Sequence, residues 1–339
     1  MPEMNRQVSL KRRPNGLPVA EDFSIVDSKL PKPGEGQVLL RGTYLSLDPY
    51  MRGRISGQRS YAQPTGIGEV IEGRVVGRVA RSRHPDFREG DYAFGGYGWQ
   101  TYSAVDGNGL TKLDPAAAPI STALGVLGMP GLTAYAGLKT IGRPKRGETA
   151  VISAASGAVG AVAGQLAKRE GCRVVGIAGG ADKCRYVTGE LGFDACVDHR
   201  GGDLGAALDA ACPDGIDVYF ENVGGAVQAA VYPRLNDFGR MIMCGMISEY
   251  NDVEPRPGPS LVAAVRKRLN IQGFIVSDHA ALWSDYLAMA APLIRAGQLK
   301  YREDIVEGID NAPAAFIGLL QGKNFGKLIV KLGDEPCCD

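Results

Sequence analysis

From position 149 onward, apolar residues gather into short unbroken runs: TAVISA (149–154), RVVGIA (173–178), ACVD (195–198), IDVYFEN (216–222), GRMIMCG (239–245) and IQGFIV (271–276). Runs without alternation belong to strands covered on both faces, the situation in a parallel sheet. Helix-patterned segments of crossover length separate the first five runs, and a longer stretch rich in proline and glycine precedes the sixth. That rhythm predicts a doubly wound parallel sheet. The pattern before it differs. Between 38 and about 113, short β-like runs such as QVLLRGTYLSL, GEVIEGRVVGRVA and DYAFGGYGWQTYSAV are broken by Gly and Pro, which predicts a compact antiparallel, barrel-like domain. A helical stretch, LTAYAGLKTIG, marks the change after Pro130. From about Ala296, β-like pieces return (LKYREDIVEG, GKLIVKL), so the tail is expected to rejoin the first domain. The fold class expected is α/β, with segments 1–127, 128–295 and 296–339. No internal repeat or low-complexity tract interrupts this plan.

Between the first apolar run and the helix after it the chain reads AASGAVG (154–160). A strand, a tight glycine turn and a helix N-terminus form a place to hold a phosphate, because the first N–H groups of the helix are unpaired and carry the positive end of its dipole. Gly157 would let backbone approach a pyrophosphate, and Gly160 would let helix and strand pack closely. The G-x-G-x-x-G signature is incomplete, since Ala155 stands at the first glycine position; a slightly wider turn would accept it. The second run ends in Gly179-Gly180-Ala181, without the carboxylate that a site for NAD uses on the ribose 2′-hydroxyl. Asp182 comes late, and Lys183 and Arg185 follow it. A small, uncharged tip with a lysine beside it leaves room and charge for a 2′-phosphate, so NADP(H) is the expected cofactor.

Composition narrows the field. With 45% hydrophobic residues in 339, the chain can bury full cores. Lys and Arg number 38 against 37 Asp and Glu, which argues against a nucleic-acid or membrane-surface partner. The basic runs Lys11-Arg12-Arg13 and Arg266-Lys267-Arg268 are short and read as solvated faces. No run reaches the roughly 18 to 20 apolar residues of a membrane helix. The N-terminus has charges but no apolar h-region, so a cytoplasmic location is expected. The cysteines (Cys172, Cys184, Cys196, Cys212, Cys244, Cys337 and Cys338) make no C-x-x-C pair. The histidines (His84, His199, His279) do not cluster with them, so no metal site is expected.

Longer matching pieces carry a family resemblance: YLSLDPYMRGR (44–54), LGVLGMPGLTAYAGL (124–138), GCRVVGIAGGADKCRYVTGELGFD (171–194), GIDVYFENVGG (215–225), CGMISEYN (244–251) and FIGLLQGKNFGKLIVK (316–331). They span nearly the whole chain in order. The sequence resembles the zinc-independent medium-chain dehydrogenases/reductases, in the branch of prostaglandin reductases, plant double-bond reductases and bacterial curcumin reductases. The resemblance implies a GroES-like β-rich domain completed by the C-terminal tail, a central Rossmann domain, NADPH, a homodimer, and reduction of a C=C bond conjugated to a carbonyl. Carried over by position, Gly157, Ala158, Val159 and Gly160 would hold the pyrophosphate and Lys183 the 2′-phosphate. Asn222, the loop residues Cys244, Gly245, Met246, Ile247, Ser248 and Tyr250, then Phe274, Ile275, Val276 and Asn324, would line the cofactor. The prostaglandin reductases have a tyrosine where this chain has His199, whose imidazole could still meet a phosphate.

Hydride delivered to the β-carbon of an enone leaves an enolate, whose oxygen needs a hydrogen-bond donor. Tyr50 in LDPYM, Tyr61 in SYAQP and Tyr250 in SEYN are the candidates, each with an alternative as a packed tyrosine with a satisfied hydroxyl. Tyr250 leads, because it follows the fifth run of the doubly wound region, at whose carboxyl end such folds bind ligands. The expected function is thus an NADPH-dependent ene-reductase acting on small-molecule enones such as curcumin-like ketones and alkenals. A quinone reductase, or a non-catalytic nucleotide-binding protein of the same fold, is the alternative.

Overall fold

Residues 3–334 are described by the computed structural model, in which the chain forms two compact units. Of the described residues, one unit contains the segments 3–124, 303–324 and 328–334; the other contains 125–302 and 325–327. Strands β1 (Met4–Leu10) and β2 (Phe23–Lys29) open the first unit as an antiparallel pair. Then come β3 (Gln37–Ser46), the short helix α1 (Met51–Ser56), β4 (Arg74–Ser82), β5 (Tyr92–Gly96), β6 (Tyr102–Asp106) and β7 (Thr111–Leu113). β3 is the spine of this unit: it pairs antiparallel with both β4 and β6, and most of its side chains are buried.

The second unit begins with α2 (Met129–Gly137), continued by a wider turn over Leu138–Gly142. β8 (Thr149–Ser153), α3 (Ala158–Arg169), β9 (Arg173–Ala178), α4 (Ala181–Gly189), β10 (Ala195–Asp198), α5 (Leu204–Ala211), β11 (Ile216–Glu221), α6 (Gly225–Val231) and β12 (Leu235–Met243) alternate after it. The short α7 (Val262–Lys267), β13 (Asn270–Gly273) and α8 (Trp283–Arg295) complete the unit. All six expected runs form strands of one parallel sheet, in the order β10-β9-β8-β11-β12-β13. The continuous apolar runs follow from burial on both faces. Ala150, Ile152, Val218 and Phe220 join one core, with α3 against it, while Val151, Val175, Tyr219 and Met241 join the other, beneath α5 and α6. The order reverses between β8 and β11, and the crevice at the carboxyl ends of those two strands is where a sheet of this kind receives ligands.

The chain then returns to the first unit through β14 (Glu303–Glu307), α9 (Ala312–Leu320) and β15 (Lys327–Lys331). The completed sheet runs β14-β15-β3-β4-β5-β7, with β6 also on β3. Ile329 of β15 shares a core with Tyr44, Val76, Ile120 and Leu124. Trp99, fully buried, is stacked on Phe23 at 6.0 Å and meets the Phe316 ring edge-on at 5.5 Å. Among the described residues no helix is long and apolar enough to cross a membrane.

Candidate active site

The glycine turn between β8 and α3 has the expected form, with one change in where its strain lies. Ala154 is the residue in the left-handed region, at φ 49°, and Ala155 is completely buried with an ordinary backbone. A glycine is therefore not needed at 155. Gly157 caps α3 in extended conformation and donates its N–H to the Ala154 carbonyl at 2.9 Å. Ala158, Val159 and Gly160 supply the first N–H groups of the twelve-residue helix, which have no carbonyl a turn earlier to bond. A Cβ on Gly160 would overlap the Ala154 carbonyl oxygen, so that close approach requires glycine.

The ends of β8 and β11 are locked together. Ser153 Oγ accepts the Asn222 N–H at 2.7 Å and lies 3.0 Å from Glu221 Oε1, and the Asn222 amide donates to the Ser153 carbonyl at 2.8 Å. Asn222 thus ties its backbone N–H and one side-chain N–H to Ser153, which fixes the orientation of its amide. Glu221, fully buried, also takes the Val223 N–H on Oε1 at 2.6 Å. Its backbone carbonyl accepts from both Cys244 and Gly245, at 3.0 and 3.1 Å. Ile247 N donates to the Asn222 carbonyl and Ser248 N to that of Val223, at 3.2 and 2.9 Å, while Glu249 Oε1 caps α6 at Gly225 N, 2.8 Å away. The structure therefore brings Asn222 together with the loop 244–250. Tyr250 closes that loop on itself, its hydroxyl accepting the Met246 N–H at 3.3 Å. Burial, and the Glu221 carboxylate, push the Cys244 thiol up to about 12, so it stays a neutral wall of the site. Phe274 follows β13 and packs on the core shared by α2 and α3, with its ring 5.8 Å from that of His279; Ile275 and Val276 continue from it into a short helical turn.

At the tip of β9 the structure gathers positive charge. Gly180 N and Arg200 N both donate to Asp198 Oδ1, at 2.8 and 2.9 Å, and these bonds hold that carboxylate below its usual range. His199 N reaches the Ala178 carbonyl at 3.0 Å. A Cβ on Gly179 would lie 2.8 Å from both His199 Nε2 and Arg200 Nε, so the two side chains converge on that glycine. The imidazole is held below its ordinary pKa by burial first, then by Arg200 and, more weakly, Lys183, with Asp198 opposing. Lys183 stands in the first turn of α4, and Asp182 is paired with Arg185. Arg200 was not legible as a site residue: an arginine just past a strand end reads as ordinary surface until the fold turns it toward Gly179.

In the first unit, Tyr50 precedes α1 and lies with Tyr61 around one buried cation. The Arg54 guanidinium sits 4.6 Å from the centre of the Tyr61 ring and 5.5 Å from that of Tyr50, and it pairs with Glu72 at 3.2 Å. Burial, reinforced by the Asp48 and Glu72 carboxylates, raises the Tyr50 phenol well above its normal range, and burial raises that of Tyr61. Both remain neutral hydroxyls, able to donate a hydrogen bond but reluctant to ionise. Asn324 ends the segment 303–324 of the same unit. Among the described residues, no group of three or more His, Cys, Asp or Glu side chains could hold a metal ion. Cys337 and Cys338 lie outside the described residues.

The glycine turn, the locked strand ends and the basic tip suit a dinucleotide: close backbone approach for the pyrophosphate, cations for a 2′-phosphate, and no carboxylate at the end of β9. With the antiparallel unit beside them in the chain, they define a dinucleotide-dependent oxidoreductase. Residues 6–113 match the family model described as the N-terminal domain of oxidoreductase, and 158–293 the one described as zinc-binding dehydrogenase. The chain is 49% identical to the NADPH-dependent curcumin reductase of Escherichia coli, over 98% of this chain and 99% of that protein. It is 42% identical to the NADP(+)-dependent 2-alkenal reductase of Nicotiana tabacum, over 98% of each. The crystal structure of CurA from Vibrio vulnificus in complex with NADPH superposes with a TM-score of 0.93 at 47% identity, covering 97% of this chain and 99% of that one. The chain belongs to the zinc-independent branch of the medium-chain dehydrogenase/reductase family.

Proposed function

We propose that the chain is an NADPH-dependent ene-reductase that saturates the C=C bond of α,β-unsaturated ketones and aldehydes, curcumin-like enones and alkenals among them. The observation that carries this reading is near-full-length similarity to two reductases named for such substrates, joined to a β9 tip lacking the NAD-type carboxylate and ringed by Lys183, His199 and Arg200. When bound, NADPH supplies the hydride that the β-carbon receives. The chain's own residues hold, orient and neutralise. The N-terminus of α3 would hold the pyrophosphate with its unpaired N–H groups, and Asn222 with the loop 244–250 forms a wall fixed by backbone bonds to the end of β11 and the residues after it. Negative charge develops on the substrate carbonyl oxygen as hydride arrives, and a hydroxyl placed there stabilises it. We assign that hydroxyl to Tyr250, whose ring is oriented by the bond it accepts from Met246 N. Tyr50 and Tyr61, held around Arg54, are assigned to substrate binding in the first unit. NADPH oxidation followed with a panel of alkenals, enones and quinones tests the reading: saturated ketone or aldehyde product supports it, and turnover of quinones alone overturns it.

A homodimer belongs to the same proposal. β13 is the edge strand of the parallel sheet, all four of its residues are exposed, and Val265 and Leu261 nearby are 78% and 69% exposed. An unpaired edge carrying Ile271, with exposed Leu261 and Val265 shortly before it in the chain, invites pairing with a second copy of itself. A cytoplasmic location fits the free thiols of the five described cysteines, and recovery of the protein from a secreted fraction would contradict it.

A further inference from the structure

We propose that His199 and Arg200 join Lys183 in a proton-coupled receptor for the 2′-phosphate, in which the imidazole takes up a proton as the phosphate binds. The inference rests on the NADPH reading above and adds to it a pH-dependent choice between NADPH and NADH. Its basis is geometric. The imidazole Nε2 and the guanidinium Nε both approach the position a Gly179 Cβ would occupy, at 2.8 Å each, and the backbone carrying them is fixed by the bonds from His199 N to Ala178 and from Arg200 N to Asp198. Gly180, at φ 97°, takes a conformation that side chains avoid, so the turn beside the imidazole and the guanidinium stays free of bulk.

The charged groups bearing on the imidazole are Arg200 and Asp198 from its own segment and Lys183 from α4. Asp198 is a poor counter-ion, because its Oδ1 already serves two backbone N–H groups. With two cations close and the ring partly desolvated, the neutral form is favoured before ligand arrives. A phosphate dianion reverses the balance: it neutralises Arg200 and Lys183 and rewards a third positive charge at 199. Opposite charge at this range favours the charged form, so binding shifts the ring from neutral toward protonated. The sign follows. A group whose pKa is raised by ligand lends affinity below its bound-state pKa and withdraws it as pH rises through that value. NADPH affinity should therefore fall as pH climbs from the ring's free-state to its bound-state pKa, with a slope of at most about tenfold per unit, while NADH affinity stays level. A tyrosine at this position would give no such slope, since it does not titrate there.

Isothermal titration of the full chain with NADPH, NADH and adenosine 2′,5′-bisphosphate, in buffers of different ionisation enthalpy, reads the proton directly. The expected result is net proton uptake, of at most one per site, for the two 2′-phosphorylated ligands and none for NADH. His199→Phe should abolish the uptake and flatten the slope, and the ligand phosphate's own titration, common to both proteins, cancels in the comparison. Arg200→Ala should weaken both 2′-phosphorylated ligands by roughly ten- to a hundredfold and leave NADH unchanged, as expected for loss of one charge-assisted contact. Equal proton uptake by His199→Phe and the parent chain overturns the proposal while leaving the NADPH preference standing. Equal affinity of the parent chain for NADH and NADPH overturns both, and it is seen before any variant is made.

Discussion

Gly160→Ala sets two effects of opposite sign against each other at the phosphate turn. The residue is the third of α3, where alanine is intrinsically better than glycine by about 1 kcal/mol. Against that, the new Cβ would overlap the Ala154 carbonyl oxygen and lie 3.0 Å from Ala155 Cα. Both neighbours are backbone, so no side-chain rotation relieves the clash, and overpacking of this kind costs about 1–3 kcal/mol. With backbone on both sides the upper end applies, leaving a net loss of about 2 kcal/mol. For a unit of this size that lowers the unfolding midpoint by roughly 4–8 °C. The same displacement carries the Ala158 and Val159 N–H groups away from the crevice, so NADPH affinity should fall at least about tenfold. Gly189→Ala is the control: it lies at the end of α4 with nothing within 4 Å of its would-be Cβ, and it should keep the propensity gain with no penalty. Thermal unfolding followed by circular dichroism and NADPH fluorescence titration give both quantities. If Gly160→Ala melts at or above the parent temperature and binds NADPH equally well, the close approach of helix to turn does not constrain this site.

Tyr250→Phe should lower turnover of a small enone by roughly ten- to a hundredfold with little change in NADPH affinity, because only the transition state carries the full charge; near-normal turnover would remove the assignment. Val265→Lys with Ile271→Lys places charge on the exposed edge, and light scattering should show the parent as a dimer and the variant as a monomer; a monomeric parent would refute the dimer itself. Exhaustive chelation should leave activity intact, since the described residues offer no ligand set, whereas loss of activity restored by zinc would contradict that expectation.

How much of this could be read beforehand depended on what each residue reports about itself. The six parallel strands were legible because burial on both faces forces continuous apolar runs. The β1–β2 pair was not: MNRQVSL and FSIVDSK bury only part of their side chains, so polar residues dilute the signal. Gly157 and Gly160 announced the turn by spacing. The left-handed Ala154 did not, since its backbone angle is set by the strand, turn and helix around it and not by its own preference. Arg200, Glu221 and Arg54 were missed for one shared reason: a charged residue near a strand end or in a short helix is common on surfaces, and only the fold reveals what it is turned toward.

The return of the tail to β3 bears on how this chain comes off the ribosome. Ile329 pairs with Ser46, so the seven-stranded sheet cannot close until β15 has been made. The doubly wound unit, by contrast, draws its core from one nearly continuous segment, 125–302. Contacts between neighbours in sequence form sooner than contacts across a whole chain. The nucleotide-binding half can thus be complete first, while the N-terminal strands wait with Tyr44, Leu45 and Ser46 of β3 lacking the partner that β15 brings. A chaperone that shields extended apolar strands would meet the end of β3 during that interval, and a stop codon before β15 would leave the cofactor half folded and the other sheet short of two strands, β15 and the β14 that pairs with it.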